Sequence, residues 1–159
     1  MTIRSFKGQI AANGVDTISL HTNTGKTGYR IIKFSVFPQK PGDSTAENLV
    51  QIFTIESSAT IAADAAVATN IDFSDNTLLA VGFVGASTNS TQLAPIPSVI
   101  FDNMKFNQDI FIAHKDESGN SAPVNYYIEL ELSTLSLDEN TTATLKDIKN
   151  IEGSNLILD

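Results

Sequence analysis

The sequence predicts an all-β protein, an antiparallel β-sandwich, jelly-roll-like, with a short C-terminal helix. Three observations lead there. Val124 to Thr134 alternates along its length: Val124, Tyr126, Ile128, Leu130 and Leu132 fall on one face, and Asn125, Tyr127, Glu129, Glu131 and Ser133 on the other. Successive strand side chains point to opposite faces, so this is a strand with one face in a core and one in water or against a partner. Eight or nine short apolar runs of this kind recur, separated by turn residues, as two packed sheets require. Only after Leu135 does the period change to a helical one. The expected organisation is therefore a sandwich domain over residues 1–135 and a helix and tail over 136–159, packed on that domain or on a neighbouring subunit.

Ile3 to Ile10 opens the chain as a strand. Asn13-Gly14 follows, and both residue types accept the positive φ of a type I′ hairpin turn. Asp16 to Thr22 is the next strand, with Ile18 and Leu20 on one face, and Thr24 to Gly28 is a turn. Gly28 to Phe37 is apolar on both faces, which predicts a central strand. Gln39 to Asn48 is a loop, and Leu49 to Glu56 a strand. Ser57 to Asn70 is rich in both alanine and Ser/Thr without a clear 3.6-residue period, and reads as a long loop with one helical turn. Thr77 to Val84 is a buried strand whose Gly82 suggests a bulge. Gly85 to Pro97 is a polar loop. Ser98 to Asp102, Asp109 to His114 and Val124 to Thr134 complete the strands. Ser136 to Glu139 fits a capping box opening a helix over 138–152, with Leu145 and Ile148 on one face and Gly153 as its C-cap.

Composition narrows the function. Of 159 residues, 18% are charged, below the ~25% of ordinary soluble domains. The polar surface is then largely Ser, Thr, Asn and Gln, which suits an assembly subunit. No cysteine is present, so disulfides and thiolate metal sites are excluded. The opening residues MTIRSFKGQI lack the apolar run of a signal peptide, and no stretch reaches the ~20 apolar residues of a membrane span. We therefore expect a chain kept in a cytoplasm or assembled there into something larger. The sequons at Asn89 and Asn140 are read as chance. Net charge is −8, split as +5 over residues 1–40 and −13 over the rest. That asymmetry suits electrostatic contact between copies or with an acidic partner. No basic cluster with interleaved aromatics occurs, which argues against direct nucleic-acid binding.

Four groupings could carry chemistry, and each has a plainer reading. Gly25-Lys26-Thr27 ends like a phosphate loop, but Leu20 stands where the pattern needs glycine and no helix follows, so we read a hairpin turn. His21 and His114 each end a strand and could share one rim, with Asp116 as a third ligand, yet no spacing demands a metal. Asp72 to Asn76 and Asp116 to Asn120 could bind Ca²⁺, but neither has the twelve-residue loop, and Asp and Asn also make turns. Glu129 and Glu131 share a strand face as a glycosidase pair might be imagined to, but without a cleft or tryptophan platforms they read as a wet or subunit-facing surface. We expect no catalytic residue, metal or cofactor.

The blocks GYRIIKFSVFPQKPG, IDFSDNTLLAVG, VIFDNMKFNQDIFIAHKD and NYYIELEL occur in this order between Gly28 and Leu132. Together they resemble small virion structural proteins of tailed bacteriophages, marine ones especially. The most specific part runs from Phe101 to Glu131. The loops at 57–70 and 85–97 and the C-terminal helix are not matched. The resemblance implies a non-enzymatic virion protein assembled in the host cytoplasm. It would be a head decoration or cement subunit, or alternatively a tail, neck or fibre-associated one. Its partners would be further copies of itself (a homo-oligomer) and the major capsid protein. We expect the subunit contacts at Arg4, Lys7, Tyr127, Glu129, Glu131, Leu145 and Ile148. A carbohydrate-binding sandwich using Tyr29, Tyr126 or Tyr127 is the reading from another class.

Overall fold

The computed structural model describes residues 1–41, 47–85, 98–101, 104–119 and 121–139. Eight strands and one helix follow in the order β1 (Thr2–Ile10), β2 (Val15–Ile18), β3 (Thr27–Pro38), β4 (Glu47–Phe53), α1 (Glu56–Ala63), β5 (Leu78–Gly85), β6 (Val99–Ile100), β7 (Ile110–Asp116) and β8 (Val124–Thr134). They form two sheets, one ordered β1-β8-β3 and the other β2-β7-β4-β5-β6. All the pairings are antiparallel. The neighbours β1 with β8, β2 with β7 and β4 with β5 are the first, second and fourth strands beside the last, seventh and fifth. This nested order is a jelly roll. The short β6 departs from it by pairing β5, at Ala80 and Val81.

The core lies between the two inner faces. Tyr29, Ile31, Phe34, Tyr126, Ile128 and Leu130 come from the first sheet, and Val50, Ile52, Ala80, Ile110 and Ile112 from the second. Ile52, Ile110, Ile112, Ile128 and Leu130 are fully buried. The expected alternation of β8 holds from Val124 to Leu130: Val124, Tyr126, Ile128 and Leu130 are buried and their neighbours half-exposed, while Leu132 is itself half-buried.

Several expected details turn out differently. Asn13-Gly14 is a tight turn with Asn13 at φ 58°, closed by Gly14 N donating to Ala11 O at 3.1 Å. It is no hairpin, because the strands it joins lie in different sheets. Its single positive φ at the third position is the mark of a type II turn, not of I′. The Thr22–Gly25 turn, with Gly25 at φ 64°, likewise carries the chain back between sheets.

The Gly28–Phe37 strand is an edge strand, not a central one. Its apolar residues seemed to occupy both faces because a bulge resets the parity. Ile31 pairs Leu130, Lys33 pairs Glu129, and Ile32 is the extra residue. Tyr29, Ile31, Phe34 and Val36 thereby all reach one core. A second irregularity falls at Leu79, since Ile52 pairs Ala80 but Phe53 pairs Leu78. Gly82 is not the bulge. It is a close approach, where an added Cβ would stand 2.7 Å from Val36 Cγ2.

The 57–70 segment is more helical than expected. Helix α1 packs Ala59 and Ala63 against Leu49, Phe53, Leu78, Val81 and Ala113 on the outer face of the second sheet. Glu56 in its first turn complements the helix dipole. Among the described residues the second sheet is thus covered on both faces and the first on one. At the C-terminus, Leu137–Glu139 is helical and Glu139 N donates to Ser136 Oγ at 3.2 Å, as a capping box requires. The remainder of that helix, with Leu145 and Ile148, lies outside the described residues.

Three polar ties cross between layers. Tyr126 Oη donates to Asp16 Oδ2 at 2.5 Å, and Tyr29 Oη to Leu20 O at 3.0 Å. His114 has no exposed surface and contacts Ala11 O through Nδ1 at 3.1 Å and the Asn48 amide through Nε2 at 2.9 Å. A carbonyl only accepts, so Nδ1 carries a proton and donates it to Ala11 O, while Nε2 faces Asn48 Oδ1.

Two predictions follow from this packing. Gly82→Ala should destabilise the fold by about 1–3 kcal/mol in denaturant titration, because Val36 must move. Burial holds the His114 pKa below its ordinary 6.5, although the Ala11 carbonyl and Asp116 pull the other way. Below pH 6.5 the unfolded chain binds the proton first, so this contribution to stability is whole above 6.5 and falls as pH drops toward the folded value. In His114→Gln that component of the acid loss should vanish from melting curves taken across the range.

Candidate interaction surface

The outer face of the first sheet is the surface the fold leaves uncovered by its own chain among the described residues. Register places its side chains in rows across β1, β8 and β3. Ile3, Glu131 and Arg30 make the first row; Ser5, Glu129 and Lys33 the second. Lys7, Tyr127 and Ser35 make the third; Gln9, Asn125 and Phe37 the last. Such directly opposed neighbours are the contacts that stabilise a sheet face.

The charges pair within this face. Arg30 Nη2 lies 2.5 Å from Glu131 Oε2. Lys33 Nζ sits 5.7 Å from the centre of the Tyr127 ring. Tyr127 Oη donates to Glu129 Oε1 at 2.7 Å, and Gln9 Nε2 to Asn125 Oδ1 at 3.1 Å. The bond to Glu129, aided by desolvation and the carboxylate's charge, raises the Tyr127 pKa. Two large apolar side chains stand at opposite corners, Ile3 at 46% exposure and Phe37 at 63%. The face therefore carries a basic flank on β3, an acidic stripe on β8 and apolar corners.

Of the expected contact residues, Lys7, Tyr127, Glu129 and Glu131 come together here. Arg4 does not. It has the inner-face parity of Phe6, over whose ring its guanidinium lies at 5.2 Å. Leu145 and Ile148 lie outside the described residues. Arg30, Lys33 and Phe37 belong to the surface but were not foreseen, because the bulge at Ile32 hides their common face. Glu129 and Glu131 are held by Tyr127 and Arg30 and face no cleft.

The other groupings are dispersed. His21 and His114 are not neighbours. His21 Nδ1 lies 2.7 Å from Asp109 Oδ1, at the start of β7, and His114 is buried near its end. Burial pushes the Asp109 carboxyl up, but the His21 ring and the His21 and Leu20 amides hold it below the usual carboxylate range. Among the described residues no three His, Cys, Asp or Glu side chains converge. Asp72 accepts from Ser74 N and Oγ, and Asp116 from Ser118 N and Oγ, so both acidic loops contain side-chain-stabilised turns. Tyr29 and Tyr126 are 3% and 6% exposed, which removes them as sugar-stacking platforms. Among the described residues no helix is long and apolar enough to cross a membrane.

The Tyr127–Glu129 bond is testable by alkaline titration. Tyr127 should ionise above the ordinary phenol value of 10.0, and Glu129→Ala should bring it back down, read by ultraviolet difference absorbance or by NMR of the ring.

No family model matches the chain, and no curated protein matches it. Among solved structures it is similar to the crystal structure of Drosophila NLP-core, described as providing insight into pentamer formation and histone binding. The match has 12% identity and a TM-score of 0.45, covering 84% of this chain and 100% of that one.

Proposed function

We propose that this chain is a non-enzymatic virion structural protein of a tailed phage, a head decoration or cement subunit that stabilises the capsid shell. The observation carrying this reading is the difference between the two outer faces. The second sheet is packed against α1, while among the described residues the first presents a face of paired charges and apolar corners. The resemblance of Phe101 to Glu131 to virion proteins supports the same reading. A jelly roll supplies a rigid body, and many weak copies hold a shell through multivalency. Its partners are copies of itself and the major capsid protein, in a virion assembled in the host cytoplasm.

The charge asymmetry along the sequence favours a second reading, a tail, neck or fibre-associated subunit. Head-to-tail contacts between basic and acidic regions would close a ring. Ring-shaped oligomers of the isolated protein would point to it.

The direct experiment adds purified protein to heads that lack it and measures occupancy by electron microscopy. Wild type should bind. A Lys7→Gln/Lys33→Gln variant should bind at least about tenfold less, with its melting temperature nearly unchanged, since exposed charges contribute only ~0–1 kcal/mol to folding. Equal occupancy would remove this face from the account, and absence of wild-type binding would remove the decoration role.

A further inference from the structure

Helix α1, the segment over residues 64–77 and the outer face of the second sheet border an open-mouthed pocket of about 210 Å³. That is room for roughly seven waters at ~30 Å³ each, so its occupant is small. Phe53, Ile61, Ala62 and Val67 give it an apolar wall. Gln51 projects into it from the middle of β4, flanked on the same face by Leu49 and Phe53.

Gln51 is the telling residue. It is 3% exposed, and among the described residues its side-chain amide has no hydrogen-bond partner. An amide that faces a pocket from within an apolar layer is matched by an occupant that supplies both a donor and an acceptor. A hydroxyl does both.

The mouth has a different character. Asp72 and Asp75 line it. Asp72 Oδ1 accepts from Ser74 Oγ at 2.5 Å and Ser74 N at 2.9 Å. Asp75 Oδ1 accepts from Thr77 Oγ1 at 2.7 Å and Thr77 N at 2.8 Å. Each carboxylate is thus fixed through one oxygen, leaving Oδ2 to accept from a ligand. The Ser74 hydroxyl and amide hold the Asp72 carboxyl below the usual range, so it is ionised at neutral pH. Among the described residues no basic side chain lines the cavity. Lys115, on β7, already places its ammonium in this layer, donating to Val67 O.

We propose that this cavity binds a small organic ammonium ion carrying a hydroxyl on a short aliphatic stem. The ammonium sits between Asp72 and Asp75, where charge pairing and hydrogen bonding act together. The stem lies along Phe53, Ile61 and Val67. The hydroxyl reaches Gln51, accepting from its Nε2 and donating to its Oε1. An anion is excluded by the two carboxylates, and a neutral diol forfeits the charge-assisted contacts.

The test uses the full chain and three probes of one length: 4-aminobutan-1-ol, 1,4-butanediol and 4-hydroxybutyrate. Binding is followed by calorimetry and by the NMR signals of the Gln51 side-chain amide. The amine should bind and shift those signals, with the diol and the anion at least about tenfold weaker. Asp72→Asn, an exposed change that keeps an acceptor for Ser74, should weaken the amine about tenfold and leave the melting temperature unchanged. Gln51→Leu should remove the preference for the amino alcohol over n-butylamine. Equal binding of amine and diol, no binding of any probe, or an unaltered affinity in Asp72→Asn would each overturn the proposal.

Discussion

The contact between the two inner faces is what the rest of the structure depends on. Ile128 and Leu130 on the first sheet meet Ile52, Ile110 and Ile112 on the second, all fully buried. Fully burying one such side chain contributes ~1.5–3 kcal/mol relative to exposure, so a layer of them outweighs any single polar tie in the molecule. Around it the chain changes sheet repeatedly, and two of those crossings, at 11–14 and 20–26, each carry a residue at positive φ. The contact also sets how closely β3 and β5 approach. Ala80 and Gly82 are small because Phe34 and Val36 fill the space above them.

The polar ties act within that frame. Tyr126 reaches Asp16 across the sandwich, and burial first, then that hydrogen bond, pushes its phenol well above the ordinary range. It therefore stays a neutral donor at any physiological pH. Tyr29 and His114 close the two ends of the crossing segments on Leu20 O and Ala11 O. Tyr29 gives the buried Leu20 a partner for its carbonyl, and His114 adds a second contact to the Ala11 carbonyl that Gly14 N already reaches. At these two crossings a tyrosine or a histidine side chain supplies a partner to a backbone carbonyl that has left its strand.

Much of this was legible from residues. The alternation of Val124 to Thr134 and the turn residues between runs were enough for a sandwich, because period-2 patterning and burial are the same fact seen twice. Irregularities of the period were not legible. Ile31-Ile32 reads as two faces filled, when one residue is simply unpaired, and so Arg30 and Lys33 were not seen to share a face with Glu131 and Glu129. Helix α1 escaped because its buried stripe is Ala59 and Ala63. Alanine gives a strong helix propensity but almost no hydrophobic contrast, and Ser57, Ser58 and Thr60 around it resemble a loop. Whether a strand pair is a hairpin or a crossing between sheets depends on β7 and β8, a hundred residues away, and no local turn residue encodes that.

The two outer faces follow from one asymmetry. A five-stranded sheet with β4, β5 and β7 apolar on both sides needs a second cover, and α1 with the segment after it provides one. Covering a sheet with small alanines and polar turns leaves imperfect packing beneath, and the cavity at Gln51 is where that cover fails to fill. The three-stranded sheet has no such need, because Ile3, Lys7, Tyr127 and Lys33 are tolerable in water. Among the described residues it stays bare, and its order comes from the strands rather than from a loop. A face of that kind presents paired charges in fixed positions with little entropy left to lose on contact, which favours docking against another rigid surface. The division of labour is then physical: the face that could remain wet is available to partners outside, and the face that had to be dry borders the small pocket.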